Sequence, residues 1–117
     1  MTSSSNNVET RVIRVASLDE IAIGELTPFT VDDEEIVVLR RDDGIYAINN
    51  ICTHAEAYLD MGEYHAETLE VECPLHVGRF SLRDGTATVA PCVIPVRSYA
   101  ISIVGNDVMV ELPGRLP

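Results

Sequence analysis

The sequence predicts an all-β fold, an antiparallel sandwich or a small barrel, and three observations support this prediction. Short runs rich in β-branched and aromatic residues recur along the chain, turn signals containing Gly and Asp separate them, and no segment shows a long helical period. At 117 residues the chain is long enough for one domain with a modest core. We therefore expect a single antiparallel β domain whose loops carry its chemistry.

The first half of the chain predicts four strands and one helical turn. The strands are expected at residues 11–15, 29–31, 35–40 and 45–48. Ser17 followed by Asp19 and Glu20 is typical of the start of a helical turn, because a serine side chain caps free backbone N–H groups. The Asp43-Gly44 step lies between apolar runs and therefore predicts a hairpin that leads into the fourth strand.

The second half predicts five more strands. They are expected at residues 68–72, 80–82, 86–89, 98–104 and 108–112. Turns at Asp84-Gly85 and at residues 105–107 separate the later strands. The loops between residues 49 and 80 then stand apart, because they contain most of the metal-binding residue types in the chain.

Two short motifs carry those residue types: Cys52-Thr53-His54 and, after eighteen intervening residues, Cys73-Pro74-Leu75-His76. Two Cys and two His are the ligand set of a Rieske [2Fe–2S] centre, in which two His replace two Cys on one of the two irons. A mixed pair in each motif suits this chemistry, because each loop can give sulfur to one iron and nitrogen to the other. Cys52, His54, Cys73 and His76 are therefore the candidate ligands of one [2Fe–2S] cluster.

A structural zinc site is the alternative interpretation, since it uses the same donor types. Zinc fingers usually place two Cys together and then two His, whereas each motif here is mixed. The chain has three Cys and three His, and four of these six fall in the two motifs. The spacing favours the iron–sulfur cluster over zinc.

With these motifs, residues 78–82, the Asp84-Gly85 turn and the Ala90-Pro91 step, the chain resembles the Rieske-type ferredoxins of bacterial aromatic-ring-hydroxylating dioxygenase systems. The similarity runs from about residue 11 to residue 112. It implies that Cys52 and Cys73 bind a buried iron and that His54 and His76 bind an outer iron. It also implies a cluster-binding subdomain at about residues 49–91, inserted into the β scaffold and covered by the loop at residues 90–95.

The resemblance implies a one-electron carrier between two proteins, with no catalytic site of its own. A flavin-dependent NAD(P)H reductase would reduce it, and a terminal aromatic-ring dioxygenase would oxidise it. An oxygenase would need a further iron held by two His and a carboxylate, and only His65 remains outside the motifs. A reductase would need a dinucleotide fingerprint, which the sequence lacks. The Rieske-like small subunit of a nitrite reductase is a further alternative, although many of those have lost ligands that are intact here.

A low reduction potential is expected within the Rieske range of about −150 to +300 mV. High-potential members resemble one another in an extra Cys in each ligand loop, a Ser two residues after the second His and a Tyr two residues further. This chain has Gly78 and Phe80 at the last two positions and no Cys at residues 55–57. Its net charge of −11 also disfavours the more negative reduced state.

The charge and the termini limit the partners and the compartment. Nineteen acidic and eight basic residues argue against nucleic acid and anionic membranes as partners. The N-terminus lacks the features of a signal peptide, and no apolar run is long enough to span a bilayer. We expect a cytoplasmic monomer with a disordered tail at residues 1–9 and the Rieske domain at residues 10–117.

Other residues near the motifs have plainer roles. Cys92, the third cysteine, is expected to be a small packed thiol close to the cluster. His65 is expected to be a solvated loop histidine. An apolar rim around the exposed histidines is a candidate docking surface, because weak and short-lived contacts need only a small apolar area. The residues of this rim are Ala57, Leu75, Val77, Pro91 and Val93.

Overall fold

Eleven short strands and two 3₁₀ turns form the fold in the computed structural model, which describes residues 10–113. The strands are β1 (Arg11–Ser17), β2 (Leu26–Val31), β3 (Glu34–Arg41), β4 (Gly44–Asn49), β5 (Glu63–His65), β6 (Glu70–Glu72), β7 (Arg79–Ser81), β8 (Ala87–Val89), β9 (Ser98–Tyr99), β10 (Ile101–Val104) and β11 (Asp107–Leu112). The 3₁₀ turns are Leu18–Glu20 and Leu59–Met61. The expected tail at residues 1–9 lies outside the described residues.

The strands form three antiparallel sheets, which confirms the predicted fold class. The first sheet has the order β1-β11-β10, the second β2-β3-β4-β9 and the third β5-β6-β7-β8. The four strands of the third sheet are consecutive in the chain and are inserted in the sequence between β4 and β9, which pair with each other in the second sheet. The two candidate ligand motifs flank its first two strands, so this sheet positions the site.

Strand β3 lies between two hydrophobic cores and contributes side chains to both. Ile36 and Val38 face the core between the first and second sheets, whereas Val37 and Leu39 face the core that contains the third sheet. All four side chains are fully buried. Successive side chains of a strand point to opposite faces, so a strand covered on both faces reads as a continuous apolar run.

The core on the third-sheet side also contains the cysteines. Cys52, Cys73 and Cys92 pack in one cluster with buried side chains that include Leu59 and Phe80. Burying side chains of this size contributes about 1.5–3 kcal/mol each. The candidate ligand loops are therefore anchored by cysteines that pack in the hydrophobic core.

The segment expected as one strand at residues 98–104 is two strands in different sheets. Tyr99 of β9 pairs with Ala47 in the second sheet, whereas Ile101 of β10 pairs with Val110 in the first. Between them, the Ala100 carbonyl accepts a hydrogen bond from the Glu111 N–H at 2.9 Å. The chain passes from one sheet to the other here while its alternation of side chains continues, so the pattern alone does not reveal the crossing.

The strand expected at residues 68–72 is shorter than predicted. Leu69 has a φ of 57° and belongs to the turn before β6, although its side chain is buried in the core. The helical turn predicted after Ser17 is confirmed, with the Ser17 N–H donating to Glu20 Oε1 at 2.7 Å. The predicted hairpin is also confirmed, since β3 and β4 pair in register around Asp42 and Asp43.

Candidate metal centre

Two tight loops present the candidate ligands. The first follows β4, where the Cys52 N–H donates to the Ala57 carbonyl at 2.9 Å. The second joins β6 to β7, where the Cys73 N–H donates to the Gly78 carbonyl, also at 2.9 Å. In each loop, the backbone N–H of the cysteine itself makes the hydrogen bond that closes the loop. These bonds fix the two cysteines at the base of their loops and leave the histidines further out.

The two cysteines are the inner half of the site. Cys52 and Cys73 are 4% and 2% exposed, respectively. Burial raises the pKa of the Cys73 thiol, and the nearby Cys52 thiol raises it further, against the opposing effect of the Leu75 and His76 backbone. The His54 N–H donates to Cys52 Sγ at 3.4 Å. With a metal bound, Cys52 and Cys73 would hold it as thiolates, which are the form that ligates metals.

The two histidines are the outer half. The His54 and His76 rings lie edge to face, with their centroids 4.6 Å apart and an angle of 82° between their planes. His54 is exposed and His76 is half-buried. His76 Nδ1 accepts a bond from the Gly78 N–H at 3.3 Å, whereas His76 Nε2 is buried and has no hydrogen-bond partner. A buried polar atom without a hydrogen-bond partner is costly, and a role in binding a metal ion is one recognised explanation.

This donor set fits a mixed Cys/His cluster. One nitrogen of His76 lies within 4.8 Å of both the Cys52 and Cys92 sulfurs. Cys52 lies beside Cys73, and His54 touches His76, so the structure brings all four predicted ligand residues to one place. Thiols inside and imidazoles outside match a [2Fe–2S] centre in which one iron takes sulfur and the other takes nitrogen.

Cys92 also belongs to this group of sulfurs. It is 3% exposed, as expected for a packed thiol. Burial, followed by the charges of the neighbouring cysteines, raises its pKa to about 12. A Cβ added at Gly78 would lie 2.4 Å from Cys92 Sγ and 2.9 Å from the Cys92 backbone nitrogen. Only glycine fits at position 78 without movement, so this residue records the close approach of the covering loop.

The apolar rim is exposed at three of its five predicted positions. Leu75 and Val77 are each 65% exposed, and Val93 is 75% exposed, whereas Ala57 and Pro91 are half-buried. Ile94, which the sequence interpretation missed, is 60% exposed. Its carbonyl accepts a bond from Thr53 Oγ1 at 2.5 Å, which ties the covering loop to the first ligand loop.

The expectation of a solvated loop histidine at His65 is wrong. His65 lies in β5, and its Nε2 is 2.9 Å from Glu72 Oε1. Arg79 contacts Glu70 at 3.2 Å and Glu72 at 3.5 Å from the neighbouring strand. These groups link β5, β6 and β7 directly before Cys73, so His65 supports the position of the second ligand loop.

The part of the chain that the structure describes, residues 10–113, contains no candidate membrane-spanning helix.

Two cysteines and two histidines on paired loops of an antiparallel β scaffold define a class of small iron–sulfur proteins with mixed ligation. The Rieske [2Fe-2S] domain family matches residues 11–100, and the chain belongs to this family. The cofactor of the domain is one [2Fe–2S] cluster of the Rieske type, which disfavours the zinc alternative.

Individual relatives agree with the family assignment. The ferredoxin component of the naphthalene 1,2-dioxygenase system of Pseudomonas aeruginosa is 37% identical, over 86% of this chain and 94% of its own length. The solved ferredoxin of carbazole 1,9a-dioxygenase from Nocardioides aromaticivorans IC177 is 55% identical, with a TM-score of 0.81 over 85% of this chain and 95% of that one. A ferredoxin solved in complex with the oxygenase of carbazole 1,9a-dioxygenase is 25% identical, with a TM-score of 0.77 over 91% of this chain and 97% of that one.

Proposed function

We propose that this chain is the ferredoxin component of an aromatic-ring dioxygenase system and carries one electron at a time. The observation that carries this proposal is the convergence of Cys52, Cys73, His54 and His76 at one end of the third sheet, with the thiols inside. We assign Cys52 and Cys73 to the inner iron and His54 and His76 to the outer iron. When bound, the cluster supplies a one-electron redox couple.

The histidines are the proposed path for the electron. His54 is exposed, and its ring touches the ring of the half-buried His76. A partner protein that docks over these two rings brings its own side chains into contact with His54 and His76, the proposed ligands of the outer iron. The thiols of Cys52 and Cys73 are closed off by the core, so the interior offers no comparable route.

The proposed electron acceptor is a terminal oxygenase, and the proposed donor is a flavoprotein reductase. The names of the naphthalene and carbazole relatives support the first assignment, since those proteins are ferredoxin components of dioxygenase systems. Exposed Leu75, Val77 and Val93 form a small apolar docking face beside the histidines. A small interface suits a carrier, because it must release one partner before it meets the next.

A low reduction potential is also part of this proposal. Gly78 brings no hydroxyl to the second ligand loop, and Phe80 is fully buried in the apolar core. Within residues 10–113 the three cysteines are free, so no disulfide joins the ligand loops. Hydrogen bonds to cluster sulfurs raise the potential, and the net charge of −11 lowers it.

The proposed domain spans residues 10–117, with the cluster-binding subdomain at about residues 49–91. The third sheet supports this division, because all four of its strands lie between Glu63 and Val89.

The cytoplasm is the proposed compartment, supported by three free cysteines, which are typical of a reducing environment. A monomer is proposed because the apolar face beside the histidines must stay open for partners.

Reconstitution with electron-transfer partners tests the proposed function. The reductase and oxygenase of a carbazole system are the partners to use first, given the 55% identity to a carbazole ferredoxin. With NADH present, we expect product formation that depends on this chain and stops when it is left out. The proposal would be contradicted if the cluster-loaded protein accepted electrons from no flavoprotein reductase and passed electrons to no ring dioxygenase.

A further inference from the structure

Cys92 lies inside the metal centre without belonging to either ligand motif. Its sulfur, the Cys52 sulfur and one nitrogen of His76 all lie within 4.8 Å of one another. The residue is 3% exposed and sits in the loop that follows β8. The third thiol of the chain is therefore a direct neighbour of two proposed ligands.

The position of this thiol is fixed from two sides. The Cys92 N–H donates to the Val89 carbonyl at 3.2 Å, which anchors the residue to the end of β8. On the other side, the absent side chain of Gly78 leaves the space that Cys92 Sγ fills, since a Cβ there would be 2.4 Å away. The sulfur is thus held against the second ligand loop and faces the cysteines.

The Cys52 sulfur has room for another hydrogen bond. Its described backbone bond comes from the His54 N–H at 3.4 Å. A thiolate that ligates iron keeps lone pairs for more than one donor, and a neutral thiol has one S–H to donate. Cys92 shares one cluster of buried, mostly apolar side chains with Cys52 and Cys73.

We propose that the Cys92 thiol donates a hydrogen bond to the sulfur of Cys52 and raises the reduction potential of the cluster. This inference rests on the proposed function, in which Cys52 is a cluster ligand. Reduction adds negative charge to the cluster and its sulfurs. A donor aimed at a ligand sulfur stabilises that charge, and its removal lowers the potential. Cys92 thereby supplies a weak donor to a site that has Gly78 in place of a hydroxyl.

The test compares Cys92→Ala, which removes the donor, with Cys92→Ser, which replaces it with a stronger one. Val93→Ala is the control, because it changes the same loop at a side chain that is 75% exposed. The cluster-loaded proteins are titrated for midpoint potential, and iron content and electron paramagnetic resonance (EPR) spectra are recorded. At a fixed solution potential, we expect Cys92→Ala to lower the ratio of reduced to oxidised protein about threefold, equivalent to about 28 mV for one electron.

For Cys92→Ser we expect a potential at or above that of the unchanged protein, and for Val93→Ala no change. An equal shift in both Cys92 variants would overturn the proposal, because packing rather than donation would then be responsible. An unchanged potential in both would also overturn it, because the Cys92 thiol would then have no influence on the cluster. If Cys92→Ala does not hold the cluster, the Ser variant alone decides, and a potential below the native value contradicts the proposal. Loss of the cluster in both variants would also overturn it, because Cys92 would then be needed to hold the cluster rather than to set its potential. A native protein without a cluster would instead refute the proposed function.

Discussion

The imidazole ring of His54 meets the ring of His76 edge to face at 4.6 Å, although twenty-one residues separate the two in the chain. The third sheet brings about this contact, because its strands β5 and β6 carry the chain from the first ligand loop to the second. In the proposed cluster site this pair forms the outer side, and the buried Cys52 and Cys73 form the inner side. The site is therefore polarised, with nitrogen donors towards the surface and sulfur donors towards the core.

The close packing of Gly78 predicts a selective loss of the cluster in Gly78→Ala. The new Cβ would meet Cys92 Sγ at 2.4 Å, and the loop has to shift. We expect a loss of about 1–3 kcal/mol in the free energy of unfolding, as for other overpacked sites, together with lower iron content per chain. Denaturant unfolding and iron analysis measure the two effects.

Gly105→Ala is the matched control for this variant. Gly105 has a φ of 63° and nothing within 4 Å of an added Cβ, so this change strains the backbone in the turn between β10 and β11 of the first sheet, outside the sheet that carries the ligand loops. We expect it to lower stability by about 1–2 kcal/mol and to leave the iron content unchanged. Equal iron loss in both variants would show that general destabilisation, and not the contact with Cys92, empties the site.

The apolar face predicts that charge at Val77 slows electron transfer. Val77 is 65% exposed directly after His76, and Val77→Glu places a carboxylate in the proposed interface. We expect transfer to the oxygenase to slow about tenfold, which corresponds to about 1.4 kcal/mol, with an unchanged cluster spectrum. Stopped-flow oxidation of the reduced protein measures the rate.

Val104→Glu adds the same charge at a side chain that is 63% exposed in β10 of the first sheet. It is expected to transfer electrons at the native rate. If both variants slow transfer equally, the total charge of the protein controls the rate, and the apolar face has no special role.

Tyr99 predicts a loss of stability at high pH. Burial raises its pKa to about 12, helped by the hydrogen bond from its O–H to Glu34 Oε1 at 2.6 Å. Unfolded tyrosine titrates near about 10, so between these two values the folded protein holds a proton that the unfolded chain has lost. Stability is therefore fully present below about pH 10 and falls as the pH rises through about 12, by up to about 1.4 kcal/mol per pH unit.

Tyr99→Phe removes this titration, and unfolding at pH 8 and pH 11 on the native and variant proteins measures it. We expect the native protein to lose more stability between the two pH values than the variant does. The same loss in both proteins would show that other groups, and not Tyr99, control unfolding at alkaline pH.

The candidate metal centre could be proposed from the sequence because its potential donors are scarce and their spacing is specific. Cys52, His54, Cys73 and His76 account for four of the six Cys and His residues, and few other functions place these types so closely. Most strands were also predictable, since alternation and Asp-Gly turns mark them. The strand β5 was missed because a three-residue strand is defined by its partner, here β6, more than by its own pattern.

Other features depend on contacts between distant parts of the chain. His65 of β5 is held by Glu72 of β6, and Glu72 is in turn contacted by Arg79 of β7. The crossing at Ala100 depends on which sheet edge each flanking strand meets. The sequence interpretation placed Cys92 near the cluster but did not show that its sulfur lies within 4.8 Å of Cys52 Sγ, because the covering loop is positioned by contacts with Gly78.

Electron paramagnetic resonance of the dithionite-reduced protein, combined with iron and zinc analysis, decides whether Cys52, Cys73, His54 and His76 hold a [2Fe–2S] cluster. We expect a rhombic signal from a mixed-valence cluster with Cys/His ligation and about two irons per chain. We also expect Cys52→Ser, Cys73→Ser, His54→Ala and His76→Ala each to abolish this signal, whereas Cys92→Ser retains it. A silent native protein with one zinc per chain, or an unchanged signal in any of the four ligand variants, would contradict this assignment.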